Sequence, residues 1–290
     1  MKIEVENLRF AYGVKPVLDV KNTTFEAGKF YGIVGQNGTG KTTFFKSLTN
    51  IITNYLGEIK IDGENVKKNP AILQKVGITL DDIELYKSQT GWFNIRYFGG
   101  LRGGFDQEKV QDFAANLDLI EMLDKKVSTY SLGMKKKLIL LISLMNDAEL
   151  FIFDEPFRGV DQKSVNWLRA HMKSLKSDGK IVLISSHVNA DIEELCDHVF
   201  LLENGDFTAS FDLTDHSQEL TYKITVNKFD DMLWLLGEWH IPASYKGEEI
   251  RFELTKERFD YLFAEAINRQ ISFSSIEKTS KFAEKLGGEA

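Results

Sequence analysis

The sequence predicts an α/β protein, a parallel core sheet covered by helices, followed by a small α+β domain. Three observations carry that prediction. Short, wholly apolar runs alternate with helical periodicity through the first part of the chain, the pattern of a parallel sheet. One of those runs opens directly into a glycine-rich loop and then a helix. Beyond about residue 212 the pattern changes to alternating strands and amphipathic helices in the order β-α-β-β-α-β.

The elements follow in order. Phe30-Tyr31-Gly32-Ile33-Val34 is an apolar run ending in glycine and reads as a buried strand, as do Leu150-Phe151-Ile152-Phe153 and Ile181-Val182-Leu183-Ile184. Helical spacing follows Lys41 through Phe44, Phe45, Leu48, Ile51 and Ile52, and covers residues 162–177. Between about 82 and 145 the helical pattern dominates and carries Tyr86, Trp92, Phe93, Tyr97, Phe98 and Phe105, which reads as a helical insertion. Gly205 to Phe211 is strand-like, and the polar stretch Asp212–Gln218 marks a boundary. Leu220, Tyr222, Ile224 and Val226 then alternate as a strand, and Phe229, Met232, Leu233 and Leu236 repeat as a helix. Ile241–Tyr245 and Glu249–Leu254 flank the hairpin signal Lys246-Gly247. Phe259, Leu262, Phe263 and Ala266 predict another helix, and Ile271–Ile276 a last strand. The whole of 216–290 reads as a ferredoxin-like unit.

Composition narrows the function. The 290 residues suggest about two domains. The chain holds 36 basic and 43 acidic side chains, a formal charge of −7, which argues against nucleic acid as a partner. Residues 211–290 are the more acidic part, with 10 basic and 15 acidic side chains. One cysteine excludes a disulfide framework and fits a reducing compartment. The longest apolar run, Leu138–Met145, is far short of the roughly 18 residues needed to cross a bilayer. The first residues lack the plan of a signal peptide. The expectation is a protein of the cytosol or of the cytosolic face of a membrane.

Two motifs carry chemistry. Gly35-Gln36-Asn37-Gly38-Thr39-Gly40-Lys41-Thr42-Thr43 fits G-x-x-x-x-G-K-[ST], between a strand and a helix. Its backbone N–H groups and the helix N-terminus suit phosphate, so Asn37, Gly38, Thr39, Gly40, Lys41, Thr42 and Thr43 are nucleotide-binding candidates. Lys41 would reach the β- and γ-phosphates and Thr42 would ligate Mg²⁺. Leu150–Pro156 is a buried strand ending in two carboxylates. Beside a phosphate loop, Asp154 would hold Mg²⁺, directly or through water, and Glu155 would polarise the attacking water.

A third segment, Tyr130-Ser131-Leu132-Gly133-Met134-Lys135-Lys136-Lys137-Leu138, precedes the most apolar helix, upstream of the carboxylates. With the three in this order, the chain resembles the ATP-binding subunit of an ABC transporter. The family signature is commonly L-S-G-G-Q. The variant S-x-G-M-x-x-[KR], matched by Ser131, Gly133, Met134 and Lys137, points to the ABC-2 type subgroup that exports bacitracin, lantibiotics, other peptides and drugs. Leu132 replaces the first glycine of the pair. The resemblance covers residues 1–211. It implies a P-loop NTPase of ABC type, with a parallel core sheet, an antiparallel strand region and a helical subdomain. Residues 216–290 hold no motif of the family and are expected to be an accessory domain.

The resemblance also implies roles for single residues. Tyr12 matches the aromatic that stacks on adenine, Asp161 the D-loop aspartate, and His187 the switch histidine near the γ-phosphate. Ser131 and Gly133 would face the γ-phosphate bound by a second subunit. Where the family usually has glutamine, counting along the motif reaches Asp81, a candidate for Mg²⁺ ligation and coupling; Asp82 takes that place if the register slips by one. Trp92 and Phe93 replace residues that are usually polar.

The implied function is ATP binding and hydrolysis, with ATP and Mg²⁺, by a homodimer or pair of ATPase subunits. That pair would power a separate membrane-spanning permease from the cytoplasmic face, exporting an amphipathic or antimicrobial peptide or a drug. A soluble ABC ATPase of translation or repair is the alternative. Those translation factors usually carry two ATP sites in one chain, and a repair protein a long coiled coil, whereas this chain has one site and no heptads. In a third reading 216–290 is a binding module switched by ATP.

Overall fold

Five consecutive buried residues, Phe30–Val34, form strand β4 at the centre of the first part of the chain. The computed structural model describes residues 1–80, 82–215, 219–280 and 283–284. The chain divides into two units, Met1–Phe211 and Asp212–Ala290.

In the first unit, β4 pairs in parallel with β9 (Ile181–Ser185) and β10 (His198–Glu203). The strand order is β11-β10-β4-β9-β8-β7, where β7 is Val76–Thr79, β8 Leu150–Asp154 and β11 Asp206–Asp212. Every residue of β4, β8 and β9 is buried, as a parallel sheet covered on both faces requires. Helix α1 (Lys41–Leu48) follows β4, and α5 (Gln162–Ser177) buries Val165, Leu168, Met172 and Leu175 along one stripe.

An antiparallel sheet covers the start of the unit. Its strands are β1 (Lys2–Tyr12), β2 (Lys15–Val20), β3 (Thr23–Glu26), β5 (Leu56–Ile61) and β6 (Glu64–Asn65). Ile3, Val5, Leu8 and Phe10 of β1 point into a core shared with Phe25, Phe44, Phe45, Ile59 and Ile152.

The helical subdomain holds α2 (Gly91–Gly100), α3 (Gln107–Asn116) and α4 (Leu132–Leu144). Each helix starts at a side-chain cap: Thr90 Oγ1 accepts from Phe93 N, Asp106 Oδ1 from Glu108 N, and Ser131 Oγ from Met134 N. Helix α4 is buried along Lys136–Leu144 and packs on β7. A Cβ at Gly77 would stand 2.4 Å from the Ser143 carbonyl oxygen, so the contact of α4 with β7 depends on glycine there.

The first unit also holds α6 (Asn189–Leu195), and the second unit contains β12 (Glu219–Val226), α7 (Phe229–Glu238), β13 (Ala243–Lys246), β14 (Glu249–Thr255), α8 (Lys256–Asn268) and β15 (Phe273–Thr279). Its sheet order is β13-β14-β12-β15, and every pairing is antiparallel. Tyr222, Ile224, Ile250 and Phe252 meet Met232, Leu235, Phe259 and Leu262 of the two helices in one core. Tyr222 and Phe259 stack at 3.8 Å between ring centroids.

Several sequence-based boundaries move. Helix α1 ends at Leu48, short of Ile51 and Ile52, because Asn50 takes φ +55° and turns the chain out of the helix. The helical region starts at Gly91 and leaves Tyr86 in a loop, since Thr90 supplies the cap. The hairpin turn is Gly247-Glu248, one residue later than expected, because Lys246 pairs with Glu249. Gly247 holds φ +61° at the first turn position, the place a II′ turn reserves for glycine. The last strand runs Phe273–Thr279, also shifted towards the C-terminus.

Candidate functional site

Strands β4, β9 and β8 are parallel neighbours, so their carboxyl ends lie side by side. The loop after each contributes to one cleft of about 380 Å³. Lys41 and Thr42 come from the loop after β4, Asp154 and Glu155 from the end of β8, and His187 from the segment after β9. Clefts at strand carboxyl ends are the usual ligand sites of such sheets.

Gly40 makes the turn into α1. It sits at φ +112°, and a Cβ there would approach Leu18 Cδ2 at 2.9 Å and Val17 O at 3.0 Å. Lys41 Nζ donates to the carbonyls of Gly35 at 2.6 Å and Gln36 at 3.1 Å. Burial holds its ammonium below the usual lysine range, while the Glu155 and Asp154 carboxylates pull the other way.

Thr42 Oγ1 donates to Asp154 Oδ2 at 2.5 Å across 112 positions of sequence. The other oxygen of Asp154 accepts from Ser185 Oγ, and its backbone carbonyl accepts from Lys136 Nζ at 3.3 Å. Asp154 is buried and held on three sides.

Glu155 stands in the left-handed region at φ +48°, and its N–H donates to Ser185 O at 3.2 Å and Ser185 Oγ at 3.1 Å. Its Oε2 accepts from the backbone N–H of His187 at 3.4 Å. Its Oε1 is buried without a hydrogen bond, 3.3 Å from His187 Nε2. Burial raises the Glu155 carboxyl above the ordinary glutamate range; His187 and Lys41 oppose that rise and Asp154 adds to it.

Tyr12, Asn37, Gly38, Gly40 and Thr43 line the same cleft. The Tyr12 ring is 55% exposed and packs edge-on against Phe10. Thr39 is turned to its own loop, with Oγ1 donating to Gln36 O at 3.0 Å. Ser131, Gly133 and Asp161 lie outside the cleft. Ser131 caps α4, and Gly133 lines a neighbouring groove with Leu132 and Lys136. Asp161 caps α5 through Ser164 N and pairs with Lys137. Asp81 lies outside the described residues. Asp82 forms an ion pair with Lys46 of α1 and lines that groove.

Sequence reasoning missed three participants. Lys15 and Arg158 line the cleft, and Ser185 hydrogen-bonds to both Asp154 and Glu155. Lys15 and Ser185 reach the site through strand pairing with Tyr12 and Asp154, and Arg158, in the turn after Glu155, belongs to no motif.

A glycine-rich loop opening a helix, facing carboxylates at the end of a neighbouring parallel strand, defines the P-loop nucleoside-triphosphatase class. The comparisons with known proteins narrow the class. The ABC transporter family matches residues 18–158. The bacitracin transport ATP-binding protein BcrA of Enterococcus faecalis is 32% identical over 223 residues, 76% of this chain and 72% of that protein. The ABC transporter ATP-binding protein YhcH of Bacillus subtilis is 27% identical over 286 residues, 97% of this chain and 93% of the relative. A solved ATP-binding subunit of an ABC transporter superposes with a TM-score of 0.68 at 26% identity, covering 74% of this chain and 92% of that one. The chain belongs to the ABC transporter ATP-binding family and is an ATPase of that family. Among the described residues, no helix is long and apolar enough to cross a membrane.

Proposed function

We propose that this chain binds and hydrolyses ATP in the cleft at Lys41 and powers a separate membrane-spanning permease that exports an amphipathic or antimicrobial peptide or a drug. The observation that carries the reading is the convergence of Lys41, Thr42, Asp154, Glu155 and His187 from three adjacent strand ends. Similarity to the bacitracin transport ATP-binding protein BcrA supports a peptide antibiotic as cargo. The protein acts as a peripheral subunit on the cytoplasmic face.

Each residue has a task in this reading. Tyr12 offers an exposed ring face to adenine. The loop from Asn37 to Thr43, Thr39 included, offers N–H groups to phosphate, and Lys41 adds a charge. Thr42 Oγ1 and Asp154 Oδ2 are two hard oxygen donors 2.5 Å apart, the sparse protein set that magnesium takes alongside nucleotide phosphates. The ion would supply neutralisation of phosphate charge. Glu155 has a buried oxygen with no hydrogen bond and an increased hold on protons, which suits it to take a proton from water. His187 orients Glu155 and approaches the terminal phosphate.

Ser131, Gly133 and Asp161 stand apart from Lys41, so they serve best on the site of a second copy closing head to tail. The exposed aromatic cluster of Tyr86, Phe93 and Tyr97 is the proposed seat of the permease. The second unit serves as an accessory domain, its described elements running in ferredoxin-like order.

Glu155→Gln tests the reading. Removing the proton acceptor should lower ATP turnover about 100-fold or more, with ATP affinity retained. Size exclusion with ATP should then reveal a trapped dimer. Wild-type turnover in the variant would remove Glu155 from the mechanism.

A further inference from the structure

Arg158 closes the turn that begins at Glu155: its N–H donates to Glu155 O at 3.3 Å. It lines the nucleotide cleft with Lys41, Thr42, Glu155 and His187. It also lines the adjacent groove of about 580 Å³ with Gly133 and Lys136. Its side chain is exposed, and its guanidinium has no hydrogen bond, ion pair or ring contact among the described residues.

Lys41, Asp154 and Glu155 are engaged within the chain, and Lys15 is exposed beside Tyr12, its partner across the β1–β2 pairing. Lys41 donates to two carbonyls, Asp154 accepts from Thr42 and Ser185, and Glu155 accepts from His187. The planar fork of a guanidinium matches phosphate oxygens. The turn carrying Arg158 belongs to the Glu155 end of the cleft, where water meets the terminal phosphate in the reading above. The base and the loop that starts α1 hold the nucleotide elsewhere.

We infer that Arg158 is a specificity residue that contacts the terminal phosphate of the bound nucleotide and so distinguishes a triphosphate from a diphosphate. The inference rests on the proposed ATP site. It assigns Arg158 a ligand that ADP lacks, so its loss must weaken ATP selectively. Lining the groove at Gly133 as well, Arg158 is placed to register the terminal phosphate on that side of the turn.

The test is calorimetry on the full chain with an ATP analogue carrying an imido bridge between the β- and γ-phosphates, and separately with ADP, both with Mg²⁺. Arg158→Ala should bind the analogue about tenfold or more weakly, the scale of a lost charge-assisted contact, while ADP affinity stays as in the unaltered chain. If Arg158→Ala does not fold, Arg158→Gln removes the charge at similar length and should show the same selective loss. Unchanged analogue affinity in a folded variant overturns the inference. So does an equal loss for both nucleotides, which would make Arg158 a general source of positive potential. Failure of the unaltered chain to bind either nucleotide would instead overturn the ATP site itself.

Discussion

Lys137 Nζ, on helix α4, lies 2.5 Å from Asp161 Oδ2, the residue that caps helix α5. The pair joins the helix opened by Ser131 to the turn that follows Glu155. Lys137 is buried and also donates to Leu117 O at 2.9 Å. Asp161 accepts from Ser164 N and Ser164 Oγ as well, so both its oxygens are engaged within the chain.

That pair makes a prediction about acid stability. Lys137, with help from Ser164, holds the Asp161 carboxyl down at about 2. A depressed carboxyl contributes stability above its unfolded value and loses it as pH falls through the folded value. Lys137→Met should therefore cost about 1–2 kcal/mol at neutral pH, a figure reduced because Asp161 is about half-exposed. The gap between the two proteins should close between about pH 4 and pH 2. Denaturant titrations across that range check it; a gap that does not narrow refutes the pairing.

Glu155 titrates in the opposite sense. Burial raises its carboxyl, so its stability contribution is present below the usual glutamate range and is lost as pH rises through the raised value. Glu155→Gln removes that penalty and should melt higher than the unaltered chain at neutral pH, with the two converging in acid. The acid limb of kcat/KM should fall above the usual glutamate value of about 4.3. Equal melting differences at every pH would count against a buried ionised Glu155.

Lys41→Ala should weaken ATP binding about tenfold or more, since a charge-assisted contact to phosphate disappears. Folding should change little, because the lost partners are the loop carbonyls of Gly35 and Gln36. Calorimetry with ATP and a thermal melt separate the two effects. Undiminished affinity would move the phosphate site away from this loop.

Phe93→Glu or Tyr97→Glu should abolish co-purification with the proposed permease while the isolated chain stays folded. Both side chains are exposed, and their rings meet Tyr86 in one surface cluster. Such aromatic groups are enriched at interface hot spots. Co-purification retained in both variants would assign the cluster to the packing of the helical subdomain.

Local rules made much of this protein legible in its sequence. The phosphate loop is a local object: Gly40 must reach φ +112°, and the strand before it and helix after it are written beside it. Apolar runs named β4, β8 and β9, because a strand buried on both faces is built almost wholly of apolar side chains, the polar Asp154 and Ser185 falling at the strand ends that form the site. Helix limits were less legible at α1 and α2, where a positive φ at Asn50 and the Thr90 cap outweighed the apolar spacing. Tertiary structure alone decided which strand ends touch. Sheet order β4-β9-β8 brings Thr42 to Asp154 and Ser185 to both carboxylates, and strand order leaves no trace in local periodicity. It also decided that Arg158 enters the cleft while Asp161, three residues later, turns to Lys137, because the chain between them bends from the end of β8 into the capped start of α5.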